Sequence, residues 1–244
     1  MLRSVNEITG YILEAKDGEI GLCKDFLFDD RLWTIRYMVA DTRKWLPGRK
    51  VLISPVVLEE PDWRGYHFPV KLTRRQVEDS PPLETDAPVS MQHERSLFEH
   101  YSWARPLGLS TQKDEKASQE NAGPGDRHLR SVKEVTGYHI SAVDGDIGHV
   151  EDFIVGELTW SLHYVVVDTR NWLPGRKVLI PPIWATSVDW NKQEMGIDLT
   201  KDVIKDSPQY HPSVLVSREY EVNLHKYYGR KGYWEQSSTR KFEM

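Results

Sequence analysis

The second half of this chain repeats the first without a gap. At an offset of 127 residues, LRSVNEITGY (2–11) meets LRSVKEVTGY (129–138), and DGEIG (17–21) meets DGDIG (144–148). DTRKWLPGRK (41–50) meets DTRNWLPGRK (168–177) with one difference in ten. VLISP (51–55) meets VLIPP (178–182), and LTRRQVEDSP (72–81) meets LTKDVIKDSP (199–208). A period this long marks duplication of a whole folding unit, not a short solenoid repeat. Residues 1–103 and 129–244 are therefore expected to be two related domains. Between them, residues 104–128 hold no aromatic or β-branched apolar residue and balance four cations against four anions. Such a segment buries too little surface to offset its ordering entropy and reads as a flexible linker.

Within each copy the patterning is mostly that of strands. Asp17-Gly18 and Asp144-Gly145 sit between short apolar runs, the signal of a type I′ hairpin. Ile20 to Phe28 reads as a strand. Trp33, Ile35, Tyr37 and Val39 alternate with smaller or polar residues, as Trp160, Leu162, Tyr164 and Val166 do in the second copy. That alternation predicts one buried face. Val51–Ile53 forms another strand stopped by Pro55, and Tyr66 to Val70 a last one. Short strands so closely spaced predict a small barrel or sandwich. Two helices close each copy. Thr73 with Gln76 makes a capping box before a short helix that stops at Ser80-Pro81. Ser90 and Ser217 are candidate caps of a second helix, on which Tyr220, Leu224, Tyr227 and Tyr228 form one stripe.

The residues TGYILEAKDGEIGLCKDFLFDD (9–30), WTIRYMVADT (33–42) and VLISP (51–55), with their second-half counterparts, resemble the PRC-barrel family. That small β-barrel occurs in the reaction-centre H subunit of photosynthetic bacteria and at the C-terminus of the ribosome-maturation factor RimM. SREYEVNLHKYYGRKGYW (217–234) also resembles the tail of the bacterial tandem members, and SMQHERSLFEHYSW (90–103) matches it loosely. The resemblance implies a mainly β chain of two small barrels, each followed by short helices. It implies a non-catalytic adaptor or assembly role, with a protein partner or a second copy of itself. Its known members add two alternatives, an RNA- or ribosome-associated adaptor and an accessory role like that of the H subunit. Neither a membrane helix like that of the H subunit nor an extra barrel like that of RimM is expected from these residues, and neither role follows from the fold alone.

The repeated decapeptide is the candidate site. Arg43, Lys44, Trp45, Arg49 and Lys50, with Arg170, Trp172, Arg176 and Lys177, bring cations and a tryptophan into one loop of each copy. Leu46-Pro47-Gly48-Arg49 suits a type II turn, since proline presets φ at its second position and glycine supplies positive φ at its third. Gly175 holds the same place in the second copy. Asp41 and Asp168 can accept main-chain N–H groups as their strands end. Two readings stay open: a local network of turn and ion pairs, or a loop that contacts a partner.

Other chemistry is sparse. The net charge is -5, which gives no overall drive toward nucleic-acid phosphates or anionic lipid. The nine histidines show no metal-ligand spacing, so no metal and no cofactor is expected. Ser80 and Ser207 read as helix ends, and Cys23, at the place of Val150, as a small apolar residue. An enzyme with a site between the repeats remains the third alternative, but the sequence groups no nucleophile, base and orienting residue. One cysteine excludes an internal disulfide. With no apolar leader and no long apolar run, the expected location is the cytoplasm, with no membrane span.

Overall fold

The computed structural model describes residues 1–42, 46, 49–81, 100–101, 129–170 and 173–236. The chain divides into two compact units. One is continuous, Ile8–Lys133; the other is composite, Met1–Glu7 with Glu134–Met244. The divisions fall a few residues inside each repeat, so the opening segment of each copy belongs to the unit built mainly from the other. The linker 104–128 and the helix expected after Ser90 lie outside the described residues.

The continuous unit contains β2 (Ile12–Ala15), β3 (Gly18–Asp29), β4 (Thr34–Asp41), β5 (Lys50–Ile53) and β6 (His67–Pro69), followed by α2 (Arg74–Glu78). Their order in the sheet is β5-β4-β3-β2-β6, and β7 (Leu129–Ser131) joins it beside β3. All neighbours are antiparallel except β2 and β6. The core is Leu13, Ile20, Phe26, Phe28, Tyr37, Met38, Leu52 and Phe68.

The composite unit repeats this plan. It opens with β1 (Leu2–Ser4) and the short α1 (Val5–Ile8). After α3 (Val132–Val135) come β8 (His139–Ala142), β9 (Gly145–Gly156), β10 (Leu162–Asp168), β11 (Lys177–Ile180), β12 (Ala185–Asp189) and β13 (Glu194–Ile197). Three helices follow: α4 (Lys201–Lys205), α5 (Arg218–Tyr227) and α6 (Tyr233–Gln236). The sheet order is β11-β10-β9-β8-β13-β12, with β1 beside β9.

The molecule is mainly β, as expected, but among the described residues neither sheet closes into a barrel. The chain leaves β5 through a 3-10 turn at Pro55–Val57, where Ser54 accepts from the Val56 N–H. It then meets the end of β6 through a single bridge, Leu58 to Val70, so β6 never pairs with β5.

Local predictions meet mixed outcomes. The capping box holds: Gln76 N donates to Thr73 Oγ1 at 3.3 Å, and Thr73 N to Gln76 Oε1 at 2.9 Å. The hairpins form, but not with type I′ turns. Ala15 pairs with Gly18, so the two loop residues are Lys16 and Asp17, and neither has positive φ; Gly18 takes it instead, at +134°. Asp17 and Asp144 have another task. Their side chains accept the first N–H of a helix, from Arg74 at 2.7 Å and Lys201 at 2.9 Å. The alternation in β4 also stops early. From Tyr37 to Asp41 every residue is buried, so the second half of that strand is covered on both faces.

Candidate functional site

The decapeptide begins where β4 and β10 end. Asp41 and Asp168 are buried, and the next residue, Thr42 or Thr169, is fully buried. Each threonine pins its loop from both sides. Thr169 O accepts from Leu173 N at 2.6 Å, and Thr169 N donates to Arg176 O at 3.2 Å. Its hydroxyl reaches Leu173 O at 3.1 Å and Arg176 O at 2.9 Å, and Thr42 repeats these contacts with Leu46 and Arg49.

The turn is the expected type in the second copy. Arg176 N donates to Leu173 O at 3.2 Å, and Gly175 has φ +78°. Asp168 caps its strand end as expected, accepting Arg170 N at 2.9 Å. Arg43, Lys44, Trp45, Gly48 and Trp172 lie outside the described residues.

Four of the five described cations of the decapeptides have local partners. Arg170 Nε lies 2.6 Å from Asp168 Oδ2, and Lys177 Nζ lies 2.6 Å from Glu151 Oε1. Lys50 sits opposite Asp41 in the ladder of β4 and β5. Arg49 donates to Glu78 O at 2.5 Å and also to Ser80 O, and Arg176 donates to Ser207 O. These carbonyls end α2 and α4, where main-chain oxygens lose their helical partners. The guanidinium groups therefore staple the loops to the helix ends. Ser80 and Ser207 are helix-end residues too, each donating its hydroxyl to a carbonyl three residues back at 2.8 Å.

A buried group of ionisable side chains lies elsewhere among the described residues, and the stripe expected on the closing helix did not point to it. α5 buries Glu221, Leu224, His225 and Tyr228, whereas Tyr227 is exposed and Tyr220 half-buried. The buried stripe is rotated from the tyrosine stripe expected. On β10, the fully buried Tyr164 places its hydroxyl 3.0 Å from Glu221 Oε1 and 3.1 Å from His225 Nε2. Arg218 Nη1 lies 3.0 Å from Glu221 Oε2. An ionised carboxylate only accepts, so the hydroxyl proton goes to Glu221 and His225 Nε2 donates to the phenol oxygen.

Aromatic rings enclose this group. The Arg218 guanidinium lies 4.4 Å from the Trp234 ring centroid, within cation–π range. His163 stacks on Tyr233 at 3.9 Å, and Trp184 meets His225 edge-on at 5.5 Å. Burial sets the protonation states. It raises the Tyr164 and Glu221 pKa values and lowers that of His225. Burial, and then the charge of Arg218, lowers His163 to about 4. The groups of a proton relay are present, but Tyr164, Glu221 and His225 face each other away from solvent. In this arrangement they clamp α5 to β10.

A sequence signal for the clamp existed: Glu221 and His225 stand four apart in SREYEVNLHKYYG. The first copy has Glu94 and Phe98 at those places and Tyr37 at that of Tyr164. Among the described residues, no group of three or more His, Cys, Asp or Glu is placed to hold a metal ion, and no helix is long and apolar enough to cross a membrane. No family model and no curated protein sequence matches this chain.

Proposed function

We propose that this chain is a non-catalytic adaptor of the PRC-barrel type, which docks a protein partner or a second copy of itself. One observation carries the reading. The 3-10 turns after β5 and β11 present an aliphatic side chain to solvent at the same place in both copies, Val56 at 60% and Ile183 at 58% exposure. Burying such a side chain at an interface contributes about 1.5–3 kcal/mol. A single exposed aliphatic residue is ordinary. Two at equivalent places on stiff proline-led turns give each unit the same exposed apolar anchor. Among the described residues, Arg170 and Lys177 of the decapeptides pair with carboxylates, and Arg49 and Arg176 turn to helix-end carbonyls, an arrangement of local staples and not of cations fanned toward a phosphate backbone.

The test is affinity capture with the full chain and with its Val56→Asp/Ile183→Asp variant. Both residues are exposed, so melting should be unchanged. The adaptor reading expects the protein captured by the parent, whether another chain or a second copy, to fall about ten-fold or more with the variant. Equal capture by both forms would remove the exposed anchors as its basis.

A further inference from the structure

Residues 2–5 and 129–132 are both Leu-Arg-Ser-Val. Each Leu-Arg-Ser strand lies on an edge contributed mainly by the other repeat. β1 pairs with β9, setting Leu2 opposite Gly156, Arg3 opposite Val155 and Ser4 opposite Ile154. β7 pairs with β3, setting Leu129 opposite Asp29, Arg130 opposite Phe28 and Ser131 opposite Leu27. The two registers coincide at the repeat offset.

The side-chain contacts coincide as well. Ser4 donates to Asp152, whose other oxygen accepts Asn6 N at 3.0 Å. Ser131 donates to Asp25 at 2.5 Å, and Asp25 accepts Lys133 N at 3.1 Å. Arg3 Nε lies 2.6 Å from Glu157, and Arg130 Nε lies 3.0 Å from Asp30. Val5 and Val132 follow into the core. Each repeat thus carries a donor strand and a receiving edge that are filled from different copies. Nothing in the sequence of the donor distinguishes one edge from the other.

We infer that the Leu-Arg-Ser-Val strand is an exchangeable docking element, and that the edge beside Asp152 or Asp25 accepts this strand from a second copy of the chain. A three-residue strand makes few main-chain hydrogen bonds, so the buried Val5 or Val132 and the Ser and Arg contacts carry much of its hold, and the strand is released when the chain unfolds. Exposed strand edges template pairing with an incoming strand. The tether gives the chain's own strand an effective concentration on the order of millimolar. Exchange between chains therefore grows with protein concentration and is best established during refolding. The inference extends the self-docking arm of the adaptor reading and rests on different residues from the exposed turns.

Facing residues of an antiparallel pair are close enough for a disulfide. The experiment uses full-length chains with Arg3→Cys or Val155→Cys, and one chain with both. The two single variants are unfolded, mixed, refolded over a range of concentrations and oxidised. Reductant is kept until refolding is complete, so that oxidation meets Cys23 only in its buried, protonated state, and a chain with Cys23 alone is oxidised as the blank. The double variant should close a disulfide within one chain. The mixed single variants should yield a covalent dimer between positions 3 and 155 whose share rises with concentration. Adding Ser4→Ala to the Arg3→Cys chain should cut that share several-fold. Leu129→Cys with Asp29→Cys reads the other edge and replaces the first pair if Val155→Cys fails to fold. A double variant that closes internally while mixed chains never couple at any concentration overturns the inference. So does a dimer whose yield ignores Ser4→Ala, and so does a double variant that cannot close at all.

Discussion

Ser4 donates its hydroxyl proton to the carboxylate of Asp152, 148 residues further along the chain, and Ser131 serves Asp25 in the same way. Both aspartates hold a strand that leads the other repeat. Both are desolvated enough that burial outweighs their hydrogen bonds and raises their pKa values, that of Asp152 to about 6.

A carboxyl whose pKa is raised on folding is stabilised by its proton. Asp152 therefore favours the folded state below its unfolded pKa of 3.8, and that contribution is lost as pH rises through about 6. The interval corresponds to about 3 kcal/mol at most. Asp152→Asn keeps a hydrogen-bonding group beside Ser4 without the charge. Denaturant titrations at pH 4.5 and 7 should show the variant gaining stability over the parent at the higher pH. Equal pH dependence in the two proteins would contradict this account of Asp152.

His163 works in the opposite direction. Its pKa falls to about 4 from the usual 6.5, so its contribution is complete above 6.5 and is lost as pH drops through about 4. His163→Phe keeps a ring against Tyr233 and removes the proton site. The variant should resist acid better than the parent between pH 6.5 and 4. The His163 ring should titrate near pH 4 by NMR, and a midpoint above 6 would show that the ring is not desolvated.

The aspartates show how much the sequence could disclose. Asp25 and Asp152 were visible as matched residues of the repeat, and the strands, the Thr73 capping box and the Pro-Gly turn were readable from local pattern. What Asp152 binds was not readable, because Ser4 is remote in sequence and belongs to the other copy. Repetition hides strand exchange: a donor identical in both copies gives no hint which edge it serves. The cluster of Tyr164, Glu221 and His225 escaped for a different reason. Tyr220, Tyr227 and Tyr228 suggest a stripe rotated from the buried one, which keeps only Leu224 and Tyr228 of it, and a buried glutamate opposes the rule that carboxylates face water. Thr42 and Thr169 carry no local signal of their own beside Trp-Leu-Pro-Gly, because their bonds reach four and seven residues along the loop.

Glycine does two different jobs around the repeated loop, one in the strand that faces its start and one in its turn, and substitution separates them. Gly148 has φ +147°, and a Cβ there would overlap the main-chain oxygen of Asp168; Gly21 stands against Asp41 in the same way. Gly175 has φ +78° with open space where its Cβ would go. Gly175→Ala should cost about 1–2 kcal/mol through backbone strain alone. Gly148→Ala adds a clash with backbone that cannot move aside and should cost more than about 3 kcal/mol, or prevent folding. Equal melting temperatures for the two variants would refute the close approach of β9 to the end of β10.

The clamp on α5 yields the last prediction, because its three members are not equivalent. Tyr164 lies between the other two, 3.0 Å from Glu221 and 3.1 Å from His225. Tyr164→Phe removes both contacts at once and leaves a buried carboxylate and a buried imidazole short of a partner, at about 1–3 kcal/mol for each group left unsatisfied. His225→Phe is gentler. It removes one polar group, keeps the hydroxyl on Glu221, and installs the ring type that the first copy carries at Phe98. Its cost should stay below about 1.5 kcal/mol, as for a swap that conserves volume. In the double variant the imidazole is no longer present to be orphaned, so the combined loss should be smaller than the sum of the single losses. Denaturant unfolding of the four proteins measures this coupling directly. Strict additivity would mean that Tyr164 and His225 do not share a hydrogen bond, and the polar part of the clamp would then rest on Tyr164 with Glu221.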